Sequence, residues 1–150
     1  AGESLPHLEQ AEQDAIAVGD TELRVKAMTS AALAAAELGR KDASKRLNAA
    51  AELAERTGMS DEAGMAYARI AEVATSLEAR ASAARRALDL RGAQDAEAVY
   101  AMYSVAVDAY NDGDAELALA LADEIAPNAG SLQEAVEGVR TAARAALDEG

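Results

Sequence analysis

The chain of 150 residues has no cysteine, no phenylalanine and no tryptophan. Without cysteine there is no disulfide, no thiolate nucleophile and no cysteine metal site. The single histidine, His7, reads as an ordinary residue in the first turn of a helix. One histidine supplies no nucleophile–base–orienter set, and no Glu-x-x-His pair occurs that would mark a helical di-iron site. No glycine-rich phosphate loop is present. No catalytic residue, metal or cofactor is therefore expected. The two prolines, Pro6 and Pro127, stand near predicted helix ends. No apolar run approaches the roughly 18 residues that suggest a membrane span. With no signal peptide visible, a cytoplasmic location is the expectation. Lysine is scarce and the formal net charge is −13. Phosphate backbones and anionic membrane surfaces are repelled by such a chain, so neither a nucleic acid nor a membrane is expected as a partner.

What is present is alanine. Hydrophobic residues make up 51% of the chain, too many for a disordered one, and most of them are Ala. Alanine is the best helix former and a poor strand former, which predicts an all-α fold in one domain. Small side chains let helices approach closely but bury little area each. Acidic, lysine-poor, alanine-rich composition is also found in proteins of salt-loving organisms. High-GC bacterial genomes enrich Ala and Arg too, so both readings stay open.

Eight helical segments are predicted. They are Leu5 to Val18 with Ser4 as cap, Thr21 to Leu38, Asp42 to Thr57, and Ser60 to about Ser76. The others are Glu78 to Leu90, Asp95 to Asn111, the stretch from Gly113 to Pro127, and one from Ser131 to residue 148. The last opens on "SLQE", the pattern of a capping box. The densest basic patch, "ARRALDLR" with Arg80 just before it, reads as a solvated face in which Arg80, Arg85, Arg86 and Arg91 pair with Glu78, Asp89 and neighbours. "NDGDAE" superficially suggests a calcium loop. Counting from Asp108 puts Tyr110 at a ligand position and Leu119 where the closing acid belongs, so a turn is the better reading.

The chain repeats itself. "VKAMTSAALAAAELG" (Val25 to Gly39) and "VYAMYSVAVDAYNDG" (Val99 to Gly113) share Val, Ala-Met, Ser, Ala, Ala and Gly in order, at an offset of 74 residues. A middle copy matches Tyr67, Ile70, Ala71 and Ala74 to Met102, Val105, Ala106 and Ala109, with Glu78 where the turn glycine would stand. Helix pairs are thus expected over about 21–57, 60–91 and 94–127, flanked by an N-terminal helix and a C-terminal capping helix.

With Val105-Ala106, Gly113-Asp114, Ala118, Ala122, Ile125 and Pro127 in place, the third copy resembles the tetratricopeptide repeat family, a 34-residue antiparallel helix pair. The family's bulky aromatic positions are mostly Ala here, and the spacing is a few residues long. The resemblance implies a right-handed α-solenoid; a closed up-and-down bundle is the alternative. It also implies a non-enzymatic adaptor whose concave groove takes a peptide or protein partner. Carried over position by position, the groove residues are Tyr100, Tyr103, Val107, Tyr110 and Asn111 in the third copy. In the middle copy they are Met65, Ala68, Glu72 and Thr75. In the first they are Lys26, Thr29, Leu33 and Ala36. Thr29 and Leu33 stand where the chaperone-binding subclass needs polar and basic groups, so that subclass is not implied.

A helical wheel supports the third set independently. At about 100° per residue, Tyr100, Tyr103, Val107 and Tyr110 share an arc roughly 80° wide, beside the arc of Met102, Val105, Ala106 and Ala109. Three readings of the tyrosines stand open: packing, groove contact and a homodimer interface. The second class of function is accordingly a structural or self-associating domain.

Overall fold

The computed structural model describes residues 5–149. They form eight α-helices: α1 (Leu5–Val18), α2 (Thr21–Glu37), α3 (Ala43–Thr57), α4 (Ser60–Val73), α5 (Leu77–Arg91), α6 (Ala96–Asn111), α7 (Ala115–Ile125) and α8 (Gln133–Glu149). The fold is all-α, with no strand among the described residues. The expected cap Ser4 lies outside them.

The punctuation of these helices is chemical. The carboxylates of Asp20, Asp95 and Asp114 accept from the amides of Leu23, Ala98 and Leu117, each at 3.0 Å. The Ser76 hydroxyl accepts from Ala79 at 3.1 Å. These contacts satisfy amides that have no partner within the helix. Two helix ends are the same turn, 74 residues apart. At the first, the amides of Leu38, Gly39 and Arg40 donate to the carbonyls of Ala34, Ala36 and Ala35; at the second, Asp112, Gly113 and Asp114 donate to Asp108, Tyr110 and Ala109. Gly39 and Gly113 supply the left-handed backbone, at φ 67° and 88°.

Two expected ends differ. The middle copy has no turn glycine, so α4 stops at Val73 and the chain leaves through extended Ala74. Thr75 therefore sits in the connection rather than on a helix face. Ser131 lies inside a 3₁₀ turn, Gly130–Leu132, one turn before α8 proper, and does not cap that helix. The glycine and Pro127 just upstream shape this link as two short 3₁₀ turns instead.

Each helix packs on the next in sequence. In addition α2 packs on α4, α4 on α6 and α6 on α8. No comparable packing joins α1 to α8 among the described residues. The main core runs through these contacts, from Ala32 and Leu47 through Ile70, Met102 and Val105 to Leu121, Ile125 and Val136. Most of its members are alanines. The repeat shows in burial as well: Val25 and Val99, Ala31 and Val105, Ala32 and Ala106, and Ala35 and Ala109 are all buried.

The odd-numbered helices are joined differently. Arg46 of α3 reaches Glu9 of α1 at 3.1 Å, Arg86 of α5 pairs with Glu55 of α3, and Arg85 of α5 reaches Glu124 of α7 at 3.0 Å. Arg80 donates from Nε to the Ala71 carbonyl at 2.6 Å, in the last turn of α4, and meets Asp108 of α6 at 2.7 Å. Arg91 joins Asp95, the cap of α6, at 2.9 Å, and donates to the Asp61 carbonyl at 3.2 Å. The arginine patch is thus a set of ties between helices, not a face that pairs with its own neighbours Glu78 and Asp89. Packing brings opposite charges from other helices within reach of long guanidinium arms, and a single-helix wheel cannot show them.

Gly64 of α4 lies directly against the side-chain stem of Arg91 on α5. A Cβ added there falls on Cγ of Arg91. Gly64→Ala should therefore lower unfolding stability by about 1–3 kcal/mol, although Ala is the better helix former. Thermal or urea unfolding checks this, and in an Arg91→Ala background the cost should largely vanish.

Candidate functional site

A groove of about 580 Å³ crosses the row of even-numbered helices. Leu33 and Glu37 enter it from the end of α2. Met65, Ala68, Arg69 and Glu72 come from the middle and end of α4. Ala96, Glu97 and Tyr100 come from the start of α6, and Ser131 and Leu132 close it from the 3₁₀ turn. The floor is apolar: Leu33, Met65, Ala68, Leu132 and the flat of Tyr100. The charged members are Glu37, Arg69, Glu72 and Glu97. Arg69 is already committed to Glu72, at 3.0 Å and one helical turn away. Neither Glu37 nor Glu97 has an ion-pair partner among the described residues.

Five residues chosen from the sequence meet here: Leu33, Met65, Ala68, Glu72 and Tyr100. The other eight do not line this groove, Ala36 among them, which packs against the main core. Lys26 and Asn111 are exposed, Thr75 lies in a connection, and Tyr110 is exposed toward the far end of α6. Val107 is half-buried, and Tyr103 packs against the main core. Thr29 is only 3% exposed, and its hydroxyl has no hydrogen-bond partner.

The reason is geometric. The groove runs diagonally, from the C-terminal end of α2 across α4 to the N-terminal end of α6. Reading equivalent positions on each copy assumes a groove that runs straight across the helices; the equivalent pairs Leu33 and Glu72, and Met65 and Tyr100, do meet, while Lys26 and Val107 fall outside the diagonal. The missed residues lie beside the chosen ones along the same diagonal. Glu37 lies one residue beyond Ala36, Arg69 one beyond Ala68, and Ala96 and Glu97 about one turn before Tyr100, while Ser131 and Leu132 belong to a link that looked like a cap.

The tyrosine cluster divides. Tyr100 is 54% exposed and offers its ring to the groove, while Tyr103 supports it from behind. Their ring centroids are 6.4 Å apart, with planes tilted by 49°. Such a tilted pair is favourable and holds the outer ring in place.

Tyr67 faces a second cleft, of about 570 Å³, together with Asn48, Ile70, Arg85 and Arg86. The arginines there are tied to Glu124 and Glu55, so this cleft has no uncommitted cation. The Tyr67 hydroxyl donates to Glu55. Burial, then this hydrogen bond, pushes the Tyr67 phenol up from 10.0 to about 12. Arg86, then Tyr67, holds the Glu55 carboxyl below its ordinary value.

A raised phenol pKa means that the folded state holds its proton longer than the unfolded chain does. The stability it carries is present below pH 10 and is lost as pH rises towards about 12. In a spectrophotometric phenolate titration the last step should disappear in Tyr67→Phe, and the alkaline loss of stability should shrink with it. Thr29→Val removes an unsatisfied buried hydroxyl and should leave stability unchanged or raise it by about 1 kcal/mol in thermal unfolding.

The chain matches no protein-family model, and comparison with curated proteins and with solved structures returns no match.

Proposed function

We propose that this protein is a non-enzymatic interaction module, an open stack of tetratricopeptide-like helix pairs that receives a peptide or partner segment in the groove across α2, α4 and α6. One observation carries the reading. Five residues picked from three sequence repeats, spread from Leu33 to Tyr100, line a single groove with an apolar floor. The stacking of α2 on α4, α4 on α6 and α6 on α8, with no comparable packing between α1 and α8, supports an open array over a closed bundle. The groove offers contact area instead of a reacting group. Its polar members are Glu37, Arg69, Glu72, Glu97 and Ser131, without a nucleophile–base pair. A half-exposed tyrosine beside aliphatic side chains suits partner contact. That same exposed ring gives the second reading, in which two copies of the chain close on each other through Tyr100.

Selection of short random peptides on the protein tests the first reading. Binders should be recovered that fail on Met65→Asp, which places a charge on the groove floor. Peptides that bind both forms equally would count against the groove. Light scattering tests the second. A monomer is expected, and a dimer dispersed by Tyr100→Asp would favour self-association.

A further inference from the structure

We infer that the groove selects a basic amphipathic segment: aliphatic residues seated on Leu33, Met65 and Leu132, with an arginine or lysine at each end. This rests on the groove being the binding site, and it follows from how the groove's charges are balanced. Three carboxylates and one guanidinium line it. Arg69 and Glu72 neutralise each other at 3.0 Å. What is left is Glu37 at one end and Glu97 with the Tyr100 ring at the other. Both ends are exposed.

Glu37 is the telling residue. It is the last residue of α2. A helix C-terminus carries partial negative charge and favours a cation, so an acid there is locally unfavourable. No cation of the described residues makes an ion pair with it, Arg40 pairing with Asp42 instead. Residues that break a local rule without compensation concentrate where function requires them. A cation from a partner would pair with the carboxylate and with the helix end together. Glu97 has the opposite background. It lies in the first turn of α6, where an acid is favoured by the helix itself, so its charge is held in place at no local cost. Tyr100 follows less than one turn later, and its exposed face is a platform for a guanidinium. The occupant's two charges are thereby placed at opposite ends of an apolar strip.

The net charge of −13 would attract any basic peptide weakly. The test must therefore separate groove recognition from bulk attraction. Three libraries of short peptides with random cores, flanked at both ends by Arg, Gln or Glu, are selected on the protein and counter-selected on Met65→Asp. That variant is more acidic, so peptides held only by bulk charge bind it and are removed. Groove-dependent binders should come chiefly from the Arg-flanked library. Glu37→Gln with Glu97→Gln should weaken them by about threefold to tenfold. The control pair Glu52→Gln with Glu116→Gln, of equal charge but outside the groove lining, should change affinity by less than about twofold.

If all three libraries yield groove-dependent binders equally, the charge selection is overturned while the groove stands. The same holds if both glutamine pairs weaken binding alike. If no library yields a binder that Met65→Asp abolishes, the groove reading falls and this inference falls with it.

Discussion

Everything in this molecule rests on helices meeting through alanine. In the row α2, α4, α6, α8 the contacting faces are alanine with an occasional Val, Ile or Met. A methyl group leaves the backbones free to come close. It contributes little burial by itself, so the core is a long, thin seam and not a knot around a few large rings. The absence of Phe and Trp is compatible with folding because the seam is continuous from one pair to the next.

That seam has a consequence on the other side. The odd-numbered helices are linked by arginine arms: Arg46 to Glu9, Arg86 to Glu55, Arg85 to Glu124. Apolar packing on one layer and long polar ties on the other is a simple division of labour. Pairs exposed to water are individually weak and are weakened further by salt. The less exposed arginines, Arg80 and Arg91, do more. Arg80 satisfies a carbonyl in the last turn of α4 while holding α6, and Arg91 fixes the cap of α6 while lying over Gly64. The start of α6, where Glu97 and Tyr100 enter the groove, is thereby held by its own N-cap and by the end of α5.

The groove combines the two regimes. Its floor belongs to the alanine seam and its charges to the surface, and the pairing of Arg69 with Glu72 leaves an uneven balance of charge across it. Tyr100 is presented outward because Tyr103 fills the space behind it. Of the four tyrosines, Tyr103 supports Tyr100, Tyr67 faces the second cleft beside Glu55, Tyr110 is exposed near the far end of α6, and Tyr100 alone lines the groove.

The sequence by itself determined the helices, the repeat and much of the core. Alanine's propensity, Asp at the caps of α2, α6 and α7, and glycine at Gly39 and Gly113 are local causes, and local causes are legible in a string of residues. The offset between Val25 and Val99 was readable for the same reason, and the burial of both follows it. The tertiary structure alone decided which faces meet. It set the diagonal course of the groove, which brings Leu33, Met65 and Tyr100 together and leaves Lys26, Val107 and Tyr110 off its lining. It also set acids of other helices opposite Arg46, Arg80, Arg85 and Arg86, and it buried Thr29. Periodicity fixes the direction in which a side chain leaves its helix. Which parts of neighbouring helices leave a groove open between them depends on the sum of many small alanine contacts, and no single residue carries that information.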